Sequence, residues 1–495
     1  MPEAKKVGML MEQEKRLYHN YDKNVQYIHD YLSVDKSFDL IHLDVQYAGK
    51  KMALFLIDGL VKDDILHYLM RFLAELKDGD LEENALDKLI KRNIPYVEID
   101  VEQDLNKAAE LVLAGPTALL VEGLDKIIMI DARTYPVRGP EEPDLERVVR
   151  GSRDGFVETI IFNTALIRRK IRDKTLRMEY TSIGRRSKTD ICICYLADIA
   201  DSDKVEMLKQ HLDKIDTDGL PMAEKTIEEF LSGKTWNPYP TIRYTERPDT
   251  ASEHIYEGHI LIIIDGSPSV MITPATYWHH LQHAEEYRQK PFIGVYLRMV
   301  RFLAVFASLF LLPFYYLLST EMGILPEELA FIGPKEIGLL PLIVQFLIAE
   351  VGIDVLRMAA IHTPSSLATA LGLVSAIIIG QIAVEVGLFS NEVVLYLAVV
   401  VMGTFATPPS YELSLANRVT RIMLLIITAL LGVKGFVIGF TCYILYLTNL
   451  KTFYIGYFWP FIPFDAKAFM NVLIRQPIPH DKNRPSFLNP QDPDR

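Results

Sequence analysis

Between Phe302 and Leu450 the chain runs through long uncharged apolar stretches, the first of which, Phe302–Leu318, is bracketed by Arg298 and Arg301 before it and by Thr320 and Glu321 after it. Such a run is expected to be a membrane-crossing helix, at the short end of the roughly 17 to 25 residues that a bilayer requires. Further candidates are Ile337–Ala349, Ser366–Leu388, Val393–Phe405, Ile422–Leu431 and Phe436–Leu447. Several are too short to cross as uncharged runs. The second has to continue through Glu350, Asp354 and Arg357, which places charges inside the bilayer or breaks the segment. Six crossings put Arg298, Arg301, Arg357, Arg418, Arg421 and Lys451 on the cytosolic side together with both termini, as the excess of Lys and Arg in cytosolic loops demands. Lys335 and Lys434 are the exceptions, and the last pair of segments can instead form a shallow hairpin.

The charged residues concentrate in the first 290 positions, where strands and helices alternate. The expected fold class is therefore α/β plus α-helical membrane: two small α/β subdomains followed by a polytopic helical transmembrane domain. The boundaries read from the sequence are a polar N-terminal extension over 1–37, subdomains over 38–134 and 145–290, a transmembrane domain over 291–450 and a cytosolic tail over 451–495. A linker rich in Pro and acidic residues, Tyr135–Asp144, separates the subdomains. Residues Met1–Asn20 lack the apolar core of a secretion signal, so the soluble half is expected on the cytosolic side. A net charge of -12 argues against nucleic acid as a partner, because neutralising phosphates needs a surplus of Lys and Arg.

Chemistry-bearing motifs are sparse. No glycine-rich phosphate loop, HExxH or nucleophile elbow occurs, so no catalytic residue, metal ligand or cofactor is expected. Cys192 and Cys194 alternate in an apolar run and read as small core residues. His279, His280 and His283 form the one dense histidine cluster. Their spacing suits a metal on a helix, but a solvated amphipathic helix near the membrane surface is the favoured reading.

Charge within the apolar block bears on function. From Phe302 to Asn417 there are nine acidic residues and two basic ones, Lys335 and Arg357, so a water-filled path here favours cations. A carboxylate in hydrocarbon costs about 2.5 to 3.5 kcal/mol, which makes Glu350, Asp354 and Glu385 candidates to face an ion path. Asp354 and Arg357, three apart on a helix, can alternatively neutralise each other. In the soluble half, Arg168, Arg169 and Arg172, with Arg185, Arg186 and Lys188, form basic groups that fit a subunit or partner contact, or a solvated or lipid-facing surface.

The blocks RGSRDGFVE (Arg150–Glu158), LIRRKI (Leu166–Ile171), RSKT (Arg186–Thr189) leading into CYLADIA, TERPD (Thr245–Asp249), DGSP (Asp265–Pro268), RMVR (Arg298–Arg301) and IGQIAVEVGLFS (Ile379–Ser390) occur in that order. Together they resemble the A subunits of the spore germinant receptors, the GerA family of endospore-forming bacteria. At Asp354–Pro364 the sequence DVLRMAAIHTP departs from the receptor subunits and is similar to a sporulation branch of the family, which puts direct germinant sensing in doubt. The resemblance implies a multi-pass protein of the spore inner membrane that forms a homo-oligomeric ion channel and releases ions during germination. It implies as partners other germination membrane proteins, membrane lipid and inorganic cations. A non-conducting scaffold for such proteins and a small-solute transporter are the alternatives.

Overall fold

The computed structural model describes residues 15–82, 85–90, 99–132, 146–233, 236–321, 333–334, 338–362, 372, 376–405, 410–453 and 455–495. The linker at Tyr135–Asp144, Lys335, Pro364 and Thr407-Pro408-Pro409 lie outside these residues, as do 366–371 and 373–375 of the apolar run Ser366–Leu388.

The first unit runs α1 (Tyr21–Leu32), β1 (Leu40–Tyr47), β2 (Lys50–Ile57), α2 (Asp63–Ala74), α3 (Ala85–Lys88), β3 (Ile99–Glu102), α4 (Leu105–Leu113), β4 (Thr117–Val121) and β5 (Ile127–Ile130). Its five strands form one sheet in the order β1-β2-β4-β5-β3. Every pairing is antiparallel, and for β1–β2 and β4–β5 the short connecting turns leave no other direction. Helix α1 buries Asn24, Ile28 and Leu32, a stripe at four-residue spacing, and joins the first core. The folded unit therefore begins ahead of residue 38. The polar residues between those three positions mask the stripe in the sequence.

The second unit repeats the first: α5 (Ile160–Lys170), β6 (Leu176–Ile183), β7 (Thr189–Leu196), α6 (Ser202–Asp213), α7 (Ala223–Ser232), β8 (Arg243–Thr245), α8 (Pro248–Glu257), β9 (Ile260–Ile264) and β10 (Val270–Thr273). Its strand order, β6-β7-β9-β10-β8, is the order of the first sheet transposed. In the later half of each unit the register is constant. Strands β9 and β10 each start 143 positions after β4 and β5, and Gly258 after α8 matches Gly115 after α4. Both glycines have positive φ, 103° and 112°, the left-handed conformation that ends a helix most easily at a residue without Cβ.

The units meet on a buried ion pair. Asp39, just before β1, accepts from Arg168 Nε at 3.0 Å, and neither side chain is more than 2% exposed. Arg168 also donates to the Asp173 and Leu176 carbonyls, while Phe38 N donates to Met178 O at 3.0 Å. Arg168 is thus not a surface residue. The contact expected of it with another subunit is made inside this chain, because a guanidinium on the buried face of α5 needs an enclosed carboxylate.

Beyond α9 (Ala284–Arg288) come the long helices α10 (Pro291–Thr320) and α11 (Leu342–His362), then Asn391–Phe405 and Tyr411–Asn449. Helix α10 and Tyr411–Asn449 are long and apolar enough to cross a membrane. The latter breaks at Gly432, whose φ of 60° and ψ of -138° only glycine adopts readily. Past the break the chain folds back: a Cβ on Gly435 would meet the Ile427 backbone, and one on Gly439 the Leu424 side chain. The Gly435-x-x-x-Gly439 spacing is what lets the two arms touch. Both ends of this helical hairpin reach the second unit, through Lys225–Glu412 at 2.8 Å and Tyr446–Asn237 at 2.8 Å.

Replacing Arg168 with Ala strands Asp39 in the core, which costs about 3–5 kcal/mol. The expected result is a clear drop in the thermal midpoint of the purified chain, matched by Asp39→Ala. An unchanged midpoint would mean that the units are held together without this pair.

Candidate functional site

The three candidate carboxylates of the helical part have different fates. Glu350 on α11 is 1% exposed. Arg421 grips it in a two-point bond, Nε to Oε1 at 2.7 Å and Nη2 to Oε2 at 2.9 Å. Arg418 approaches its Oε2 at 3.1 Å and also donates to its backbone carbonyl. Arg421 Nη1 reaches the Ser308 carbonyl on α10. One carboxylate thereby ties α10, α11 and the first arm of the hairpin together, and Glu350 borders no open space.

Asp354, one turn along α11, is 38% exposed and receives Arg418 Nη1 at 2.6 Å. The local pairing with Arg357 does not form. Arg357 instead lies over the rings of Phe405 and Tyr411, with centroids at 5.3 and 5.4 Å. Glu385 ends a short helical stretch, Ala383–Glu385, that continues a wide-turn π-helix over Ala376–Ile382. It is exposed, and Gln381 Nε2 donates to it at 3.1 Å. Among the described residues it has no cationic partner. Large apolar side chains beside it, Ile377, Ile378, Ile382, Val386 and Leu388, are exposed as well.

A second charged cluster joins the soluble and helical parts. Glu286 on α9 is fully buried and binds Arg298 Nε at 2.7 Å, with Arg301 also on its carboxylate. Arg298 donates to the Asn471 and Val472 carbonyls, and Arg475 returns to the Glu286 carbonyl at 3.0 Å. The C-terminal residues are thus folded onto the second unit.

The basic groups of the soluble half split. Arg169 is half-buried and Arg172 exposed. Arg185 and Arg186 are exposed on the β6–β7 turn and face Asp216 and Asp218 of their own chain at 3.1 to 3.7 Å; Lys188 is exposed beside them. The histidine cluster is not a solvated helix. His279 and His280 are 6% and 1% exposed, in a short 3-10 turn packed under Phe487 and Tyr457 of the C-terminal segment. Burial, with Arg243 adding to it, pushes His280 down to about 3 and, with Arg301 and Arg243 adding to it, His283 down to about 4, so both are neutral at pH 7.

A sequence model of the Bacillus/Clostridium GerA spore germination protein family matches residues 26–487, a range that begins within α1 and contains the rest of both soluble units, both charged clusters and all three carboxylates. The chain belongs to the GerA family. Among its GerA-family relatives, stage V sporulation protein AF of Bacillus subtilis (strain 168) is 46% identical over 481 residues, 97% of either chain. Spore germination protein A1 of the same organism is 31% identical over 94% of this chain and 97% of that protein. A crystal structure of the N-terminal domain of the A subunit of the Bacillus megaterium spore germinant receptor GerK3 matches with a TM-score of 0.43 at 25% identity, over 54% of this chain and 99% of that one. The chain is thus a GerA-family spore germination protein.

Glu350→Gln leaves Arg418 and Arg421 without their buried counter-charge, a loss of about 3–5 kcal/mol. It is expected to lower the yield and melting temperature of the purified GerA-family chain sharply, whereas Glu385→Gln, with its side chain outside the core, leaves both unchanged. Equal melting of the two variants would show that the Glu350 cluster does not hold the helices.

Proposed function

We infer that this chain is a subunit of an oligomeric ion channel in the spore inner membrane, crossing it several times with both soluble units and the C-terminal segment on the cytosolic side, and that it supports ion release during germination. The observation that carries the reading is the position of Glu385. A carboxylate with no cationic partner among the described residues lies on the outside of a single chain, among exposed apolar side chains. In hydrocarbon such a group costs several kcal/mol, so it needs water or a second subunit beside it. Asp354 is also partly open. Two carboxylates at the surface of one copy border a path only when further copies, or partner membrane proteins, close around it. Family membership supports the germination role, and a rare π turn leading into Glu385 fits a functional segment.

Cation preference follows from the same residues. Arg418 and Arg421 together balance Glu350 and Asp354, and among the described residues the carboxylate left open to a path is that of Glu385. A dianionic solute is repelled there, which argues against the transporter. The dry Glu350 cluster favours a second reading, a non-conducting scaffold whose helices are anchors and whose exposed basic residues Arg172, Arg185, Arg186 and Lys188 contact partners.

Purified protein in liposomes is expected to pass potassium ions, with flux reduced about tenfold or more in the Asp354→Asn/Glu385→Gln double variant and the protein still folded. Absence of flux from the unaltered protein, together with normal germination of spores carrying the double variant, would leave the scaffold.

A further inference from the structure

Three side chains converge where α8 ends and β9 begins. The ligand-type atoms of His254, Glu257 and His259 all lie within 4.8 Å of one another. His259 Nε2 is 3.8 Å from a Glu257 carboxylate oxygen, Oε2, and the two imidazole rings are 5.0 Å apart. His259 is 1% exposed, and apart from the approach of one ring nitrogen to the Pro274 backbone its nitrogens make no well-formed hydrogen bond, a costly state for an enclosed polar group. His254 Nδ1 donates to the Thr250 carbonyl at 2.8 Å. That bond fixes the tautomer, holding the ring from behind as metal-bound histidines are held, and leaves the Nε2 lone pair to accept from Arg243 Nη1 at 3.3 Å, a long bond that an ion would have to displace. Glu257 gives Oε1 to Arg495 at 2.9 Å and keeps Oε2 toward His259. His279, next to His259, is outside the set. Its Nδ1 accepts from the Thr276 N–H at 3.2 Å, so its other nitrogen carries the proton.

The internal duplication gives a second, independent observation. At the positions 143 earlier, the same helix end in the first unit carries Leu111, Ala114 and Pro116 around the equivalent left-handed glycine. This turn folds without histidine or glutamate. The three polar groups of the second unit are additions to the architecture, and they converge on one point.

We propose that His254, Glu257 and His259 form a binding site for a divalent transition-metal ion, with zinc the best fit. Two imidazoles and one carboxylate are a donor set that zinc takes in tetrahedral geometry with its fourth position open. Donors on such an ion are about 3.3 Å apart, so the three side chains have to close by up to about 1.5 Å on binding. The charges of the neighbouring cations have carboxylate partners apart from the proposed site's own Oε2. Arg243 pairs with Glu146 and donates to the His279 and Gln282 carbonyls, and Arg495 lies among Glu253, Glu257 and Asp481. The way in is a cavity of about 340 Å³ between α8 and the C-terminal segment, lined by Glu257, His279, Arg484 and Phe487. An ion on Glu257 ties α8, β9 and Arg495 together.

The full chain, purified in detergent and stripped with a chelator, is titrated with Co²⁺ as a visible probe and then with Zn²⁺. The expected result is one Co²⁺ per chain with a tetrahedral absorption spectrum, displaced by Zn²⁺. Glu257→Gln, which keeps the side-chain shape, and His259→Ala each weaken binding about tenfold or more. His280→Ala and His283→Ala, close by but outside the donor set, leave it unchanged. Thermal melting of the metal-free variants confirms that they are folded, and Zn²⁺ raises the midpoint of the unaltered chain but not that of the His254→Ala/His259→Ala double variant. No stoichiometric ion in the unaltered chain, full affinity in the double variant, or an equal loss in His280→Ala each overturns the proposal.

Discussion

Among the described residues, the buried contacts that join the pieces of this chain repeatedly close on an enclosed guanidinium. Among the described residues the four largest fully enclosed side chains are Arg168, Arg247, Arg298 and Arg421. Arg168 joins the two soluble units through Asp39, and Arg247 fixes the start of α8 through Asp249 and the Ser152 carbonyl. Arg298 links α9, α10 and the C-terminal segment, while Arg421 links three elements of the helical part. An enclosed arginine is tolerable only when its five N–H groups and its charge are met together. That demand is directional where apolar packing is not. It selects one arrangement of pieces whose apolar surfaces alone would fit in several.

Duplication explains the soluble half. Two sheets with one strand order, each covered by helices in the same sequence of elements, point to one unit used twice and then differentiated. The copies diverge most where they meet something else. The second carries the contacts to the helical hairpin, through Lys225, Asn237 and Tyr239, and the polar end of α8. The first carries neither of these features.

Much of the soluble fold is legible in the sequence. Alternating apolar runs place strands at Lys51–Ile57 and Asp190–Leu196, against Lys50–Ile57 and Thr189–Leu196 in the structure. Helix α8 is not legible, because PDTASEHIYE has few apolar residues and its burial comes from neighbours distant in sequence. The repeat is equally silent, since what recurs is strand order and spacing, with Leu111 facing its counterpart His254. The acidic surplus misleads for a related reason. A count from Phe302 to Asn417 stops one residue short of Arg418, and the partner of Glu350 is 71 positions away on another helix. Glu385 differs: its charge in an apolar run marks it without any partner being known.

The turn at Gly432 returns the chain to the side from which it left. Pro291 and Asn449 therefore both stand next to the second unit, and the segment after Asn449 laces back over it as far as Arg495, which holds Glu253 and Glu257. A bundle hung from one strut can swivel freely. This one is gripped at entrance and exit like a pail on its handle, so any tilt of its helices must be felt as torque by the unit above.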